Sequence, residues 1–170
     1  MSMKRKFLLV ALAVFVLDHL TKQLVSASPS LHRGVDIIPG FFRLSYVLNS
    51  GVAFGIFQES QSAWKPYLLA GLAVLAVVVI MIYSSRMPSD RTLLQAALAV
   101  TMGGILGNFI DRLLRGSVVD FIELHIRDSF HWPTFNIADS AITVGIALLM
   151  IDALKHPDRE ISAGKADSPP

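Results

Sequence analysis

Phe135-Asn136-Ile137-Ala138-Asp139-Ser140 opens an apolar run that continues to about Leu154. A run of that length and character reads as a helix crossing a hydrocarbon core of about 30 Å. Asp139 falls in its first turn. On the N-terminal side, beyond a turn-like segment, Val118-Val119-Asp120-Phe121 sets a second aspartate among β-branched and aromatic residues. Carboxylates are costly near a bilayer and tend to be kept there for a specific task. The two stretches therefore suggest a membrane scaffold holding a pair of acidic groups in one site.

The composition agrees. The 170 residues are 53% hydrophobic and 16% charged, against roughly 25% charge in an average soluble domain. Mean hydropathy is +0.55. One domain is expected for this length. The net charge of +2 makes no case for nucleic acid, and the absence of cysteine excludes disulfides, thiolate metal sites and a cysteine nucleophile.

Working outward, three more spans emerge. Lys4-Arg5-Lys6 precedes an apolar run from Phe7 to Val25. With Ser26-Ala27-Ser28 behind it, the run could be a signal peptide. Its length favours a retained helix, as does the Asp18/Lys22 pair at i,i+4 with the acid first, the favourable order on a helix. Tyr67–Tyr83 and Thr92–Ile110 are the second and third spans, so spans of about 7–25, 67–83, 92–110 and 137–154 are expected. In the third, Gly103 and Gly107 form a small-xxx-small pattern suited to close helix packing. Between the first two spans, Val35-Asp36-Ile37-Ile38 and Phe41–Leu48 flank a Pro39-Gly40 turn signal. They predict a small extracytoplasmic β-structure over about 35–57, lying on the membrane surface. Glu59–Lys65 reads as one or two helical turns, with Trp64 as an interface anchor. Residues 113–136 form a second outer segment, and the polar tail over about 156–170 is expected to be disordered.

Four spans place both termini on one side. The termini and the 84–91 loop carry eight Lys/Arg in short segments, whereas the other side spreads seven over much longer loops. Charge density in short flanking loops makes the termini cytoplasmic. Asp120, Asp139 and the Asn49 loop then face outward. The expected class is an α-helical membrane protein of four transmembrane helices with a small β-structure between helices 1 and 2.

Two aspartates sharing a site cannot both ionise easily, so the pair titrates as a unit. One member can take a proton from water while the other polarises a carbonyl, which hydrolyses amides without metal or covalent intermediate. Asp139, at a helix N-terminus, leans towards being the ionised member. Blander readings exist: an acid in a first turn suits the helix dipole, Asp111-Arg112 reads as an ion pair at a helix end, and Asn49, Asn108 and Asn136 could be caps or turn residues. Asp120 is harder to dismiss, because an unpaired buried carboxylate is costly. His19, His125 and His131 form no i,i+4 pair, so no metal is expected. No phosphate-binding loop, serine elbow or internal repeat is evident. Two rival readings are an ion-coupled transporter using membrane aspartates and a membrane-anchored assembly protein with structural ion pairs.

Five blocks then carry a resemblance: Asp18-His19-Leu20-Thr21-Lys22, Asn49-Ser50-Gly51-Val52-Ala53-Phe54, Gly107-Asn108-Phe109-Ile110-Asp111-Arg112, Val118-Val119-Asp120-Phe121 and Phe135-Asn136-Ile137-Ala138-Asp139-Ser140. In this order and spacing the chain resembles the bacterial lipoprotein signal peptidases, the type II signal peptidases. The resemblance implies an aspartyl endopeptidase of the inner membrane, with its active site towards the periplasm; a monomer is expected. Such enzymes remove the signal peptide of lipid-modified prolipoproteins, cleaving before the diacylglyceryl-modified cysteine. It implies Asp120 and Asp139 as the catalytic pair, and Asn49, Gly51, Asn108, Arg112 and Asn136 as substrate-binding. Asp18, Lys22 and Asp111 would support the site. Membrane lipid is an implied partner, nucleic acid is not, and neither cofactor nor metal is implied.

Overall fold

The computed structural model describes residues 3–51, 64–88, 90–127 and 129–156. Its elements are α1 (Met3–Ser26), α2 (Pro29–Arg33), β1 (Val35–Ile38), β2 (Phe42–Asn49), α3 (Lys65–Arg86), α4 (Thr92–Arg115), β3 (Val118–Ile126), β4 (Phe130–His131) and α5 (Ile137–Lys155). Four of these helices are long and apolar enough to cross a membrane: Lys4–Ser26, Tyr67–Arg86, Thr92–Arg115 and Ile137–Lys155. Each covers the expected span and runs a few residues past it. The expected strand over 52–57, the turns before Lys65 and the tail from 157 lie outside the described residues.

The bundle is built round α4, which packs against α1, α3 and α5. Its burial follows from its small residues. A Cβ added at Gly103 would stand 2.6 Å from the carbonyl oxygen of Ala11 on α1, and one at Gly104 would stand 2.5 Å from that of Ala138 on α5. The glycines thus bring two backbones onto α4 from different sides, where apolar matching alone gives no preference in lipid. By contrast, no part of the α3 span is buried. Leu72, Leu75, Val79 and Ile82 are exposed along it, as suits a helix bathed in hydrocarbon.

At one end of the bundle lies an antiparallel four-stranded sheet of order β1-β2-β3-β4. It extends beyond the segment between the first two spans. Its longest strand, β3, comes from the second outer segment and pairs with β2, setting Val47 opposite Asp120 and Asn49 opposite Val118. The reason is physical: β2 would otherwise expose a row of unpaired backbone groups, and β3 satisfies them. α4 ends at Gly116, whose φ of 72° is left-handed and lets the chain turn directly into β3. Past β4 the chain returns alongside β3. The amides of Phe121 and Ile122 both donate to the Phe135 carbonyl, at 3.0 and 2.8 Å, and the Phe135 amide donates to Ile122. That return delivers Asn136 beside Asp120.

Gly104→Ala is expected to destabilise the protein by about 1–3 kcal/mol, because a backbone carbonyl must give way. Gly71→Ala on α3, where nothing lies within 4 Å, should be neutral or stabilising by up to about 1 kcal/mol. Thermal melts of the two variants in detergent check this, and a Gly104→Ala protein melting with the parent would contradict the close approach.

Candidate active site

Asn136 caps α5. Its side-chain oxygen accepts the Asp139 amide at 2.9 Å, while Asp139 Oδ2 accepts the Asn136 amide at 3.3 Å, completing a capping box. The blander reading of Asp139 as a first-turn acid is therefore true of one oxygen. Its other oxygen, Oδ1, accepts Asn108 Nδ2 from α4 at 2.8 Å. The Asn136 amide group does double service too: Nδ2 donates to Asp120 Oδ1 at 2.6 Å and to Asn108 Oδ1 at 3.2 Å. Asp120 Oδ2 accepts Asn49 Nδ2 from the end of β2 at 2.8 Å. Three asparagines on three different elements thus hold both carboxylates in one hydrogen-bonded frame.

Beneath the frame lies Lys22, 1% exposed. Its ammonium sits 2.8 Å from Asp18 Oδ2 and 3.0 Å from Asp111 Oδ2, and donates to Asn108 Oδ1 at 2.9 Å. The expected Asp18–Lys22 pair is present. The expected Asp111–Arg112 pair is not, because consecutive helical side chains point about 100° apart. Asp111 turns inward to Lys22, with Oδ2 also accepting the Val119 amide at 3.3 Å. Asp18 Oδ1 accepts the Ala138 amide at 2.8 Å. Gly107 is small because the Asp18 carboxylate occupies the space a Cβ would need. Arg112 instead donates to the carbonyls of Asn108, at 3.3 Å, and Gly51, at 3.4 Å. Gly51 is buried, and its amide donates to Asn49 Oδ1 at 2.9 Å.

Asn49, Asn108, Arg112, Asp120 and Asp139 all border one cavity of about 880 Å³. Much of its remaining wall is apolar, from Leu69 and Leu72 of α3 to Ile142 and Val144 of α5. Asp120, on β3, is 1% exposed. Burial pushes its carboxyl up to about 6, and the neighbouring charge of Asp139 adds to the rise; hydrogen bonds from Asn49 and Asn136 and the charge of Lys22 oppose it. A carboxyl poised there can hold or release a proton near neutrality.

The sequence profile of signal peptidase (SPase) II matches residues 10–155. The chain belongs to the signal peptidase II family. The lipoprotein signal peptidase of Alteromonas mediterranea is 39% identical over 163 residues, covering 96% of this chain and 88% of that protein. The lipoprotein signal peptidase of Solibacter usitatus is 43% identical over 154 residues, covering 89% and 91%. A solved bacterial membrane enzyme, determined by the in meso method at 2.3 Å resolution, superposes with a TM-score of 0.79 at 30% identity, covering 91% of this chain and 90% of that one. Family membership makes this signal peptidase II relative a peptidase, and its four spanning helices make it a multi-pass membrane protein.

One cluster escaped the sequence reading. Glu123, His125 and His131 bring one ligand atom each to within 4.8 Å of one another. Helical i,i+4 spacing was the wrong ruler for histidines that meet across two strands.

The raised Asp120 has a consequence for stability. The folded protein holds this proton to higher pH than the unfolded chain, so stability falls as pH rises from 3.8 through about 6. Asp120→Asn removes that cost. Relative to the parent, the variant should gain stability as pH rises from about 4 to above 6, by up to about 3 kcal/mol, on top of a pH-independent loss from the hydrogen bond that one asparagine donor forfeits. A gap independent of pH would show that the Asp120 charge carries no burial cost.

Proposed function

We propose that this chain is an aspartyl endopeptidase that removes the signal peptide from prolipoproteins, cleaving before the diacylglyceryl-modified cysteine. One observation carries the reading: a single frame of asparagines presents Asp120 and Asp139 to a cavity whose other walls are largely apolar. The carboxylates supply acid–base chemistry, and the apolar walls of α3 and α5 suit acyl chains. The lipoprotein signal peptidases named above support the substrate class.

In the reaction, Asp139 as carboxylate takes a proton from water, and the oxygen attacks the scissile carbonyl carbon. Asp120, which burial keeps protonated to higher pH, donates to the carbonyl oxygen as charge develops there. The tetrahedral intermediate collapses as the proton on Asp139 passes to the leaving amide nitrogen, a hydroxyl of the gem-diol returns its proton to Asp120, and the C–N bond breaks. The signal peptide departs with a new carboxylate and the lipoprotein with a new amine. Asn49 and Asn136 steady the ionised form of Asp120, while Asn108 steadies Asp139. Arg112, with its remaining donors, is placed to hold substrate carbonyls. Lys22, Asp18 and Asp111 keep the frame in position. An ion-coupled transporter is the weaker reading, because transport sites lie near the midplane between repeats, whereas these groups gather at helix ends beside a surface sheet.

The enzyme is taken to work as a monomer in the bacterial inner membrane, with its termini cytoplasmic and the sheet and dyad on the periplasmic side. The orientation rests on the Lys/Arg density in the short flanking segments. Labelling tests this in the naturally cysteine-free chain. A cysteine at exposed Ser129 should react with an impermeant thiol reagent in intact spheroplasts, and one at exposed Asp90 should not. The reverse pattern would invert the topology.

The dyad is tested with purified protein and a diacylglyceryl-modified precursor peptide. Asp120→Asn and Asp139→Asn should each abolish nearly all cleavage, and the double variant should be little worse than either, since groups acting as a unit are strongly non-additive. The unlipidated peptide should be cleaved far more slowly, because each buried CH₂ contributes about 0.8 kcal/mol. A well-folded single variant cleaving at the parental rate would remove the dyad, and equal rates on both peptides would remove the lipid requirement.

A further inference from the structure

Strand geometry separates β3 into two faces, since successive side chains alternate. Asp120 and Leu124 share the face that borders the cavity. Glu123 and His125 belong to the opposite face. β4 sets His131 directly across from His125, and the two imidazoles stack with centroids 5.3 Å apart and planes 16° from parallel. Glu123 Oε1 lies 3.5 Å from His131 Nδ1. Its other oxygen accepts Ser45 Oγ from β2 at 3.4 Å, which fixes the carboxylate. His125 Nδ1 is shut off from solvent and has no hydrogen-bond partner among the described residues. A buried ring nitrogen without a partner calls for an explanation.

We propose that Glu123, His125 and His131 form a three-ligand site for a borderline divalent ion of the Zn2+ class, on the sheet face turned away from the cavity. The donor set is two imidazole nitrogens and one carboxylate oxygen, the mixture that suits Zn2+ rather than Mg2+ or Ca2+. Tetrahedral zinc takes such ligands at about 2.0–2.2 Å, which puts neighbouring donor atoms roughly 3.4 Å apart. The Glu123–His131 separation already meets that spacing. Closing the 4.8 Å spread across the cluster requires the stacked His125 and His131 rings to tilt by side-chain rotation until their lone pairs converge on the ion. The Ser45 hydroxyl plays the orienting part that ligating carboxylates commonly receive from a hydrogen-bonded neighbour.

The consequence is mechanical. β4 is two residues long and, among the described residues, pairs with β3 at His125–His131 and Ile126–Phe130, with the Trp132 amide also donating to the Leu124 carbonyl at 2.8 Å. Directly after it, Trp132, Pro133, Thr134 and Phe135 border the cavity. A bound ion would fasten β4 to β3 and steady that wall from behind, without touching the dyad.

The test uses the full-length chain in detergent, without an affinity tag and stripped of metal. Titration with Co2+ should give the visible bands of a tetrahedral complex at one ion per chain, and Zn2+ should displace it and raise the melting temperature. His131→Ala is the informative variant, because this side chain is 58% exposed and its loss should spare the fold. It and Glu123→Gln should weaken Zn2+ binding by at least about tenfold and abolish the melting shift. Substituting His19, His32 or His156 with alanine should change neither. Absence of stoichiometric binding, binding that survives His131→Ala, or bands that vanish in Asp139→Asn would each overturn the proposal.

Discussion

The structure depends on one ammonium group. Lys22 is almost wholly buried and meets Asp18, Asp111 and Asn108 at once. Its two carboxylate partners reach on to backbone amides, Asp18 to Ala138 at the start of α5 and Asp111 to Val119 on β3. A single cation therefore binds α1, α4, α5 and the sheet together. Removing one partner from a buried ion pair costs about 3–5 kcal/mol, because the remaining charge is left uncompensated. The arrangement is thus poorly tolerant of half-measures. In exchange it fixes where α5 begins and where β3 passes, and those two elements carry the acidic pair.

The same economy appears at Asn136 and Asp139. The capping box that starts α5 and the frame that holds the carboxylates are made by the same side chains. Helix initiation and site assembly therefore cannot drift apart. One oxygen of Asp139 serves the backbone and the other faces Asn108. Asp120 is held differently, by two side-chain amides on a strand, in a more deeply buried place. The environments of the two acids differ for that reason, and the difference is what acid–base chemistry on a pair requires.

Local patterns carried much of this in the sequence. Hydrophobic runs gave the four spanning helices, with ends a few residues short, since caps and frayed turns are polar and escape a hydropathy reading. The site blocks were legible because each is short and contiguous. What stayed hidden was partnership at long range. Nothing local to Phe42–Asn49 says that its neighbour is Val118–Ile126, so the sheet looked smaller than it is. Adjacency in sequence suggests Asp111 with Arg112, but distance round a helix separates them and gives Asp111 to Lys22. Helical spacing does not reveal His125 and His131 as neighbours, because an antiparallel pairing sets them face to face. The small-residue pattern of α4 signals close packing, but nothing local to it shows that Gly107 makes room for a carboxylate rather than for a helix backbone.

The apolar wall contributed by α3 changes how concentration should be understood for this protein. The α3 span has no fully buried residue and exposes Leu68, Leu72, Leu75, Val79 and Ile82 along one side, while Leu69, Leu72, Ala73 and Ala76 border the cavity. Molecules that reach the cavity along such a helix travel within the bilayer plane. Their encounter rate follows moles per unit of membrane area, not moles per litre. Adding inert lipid or detergent at fixed total substrate would dilute that surface and slow encounter, although the bulk solution is unchanged. A half-saturation value quoted per volume is then a property of the preparation, and the mole fraction of substrate in the membrane is the quantity that belongs to the protein.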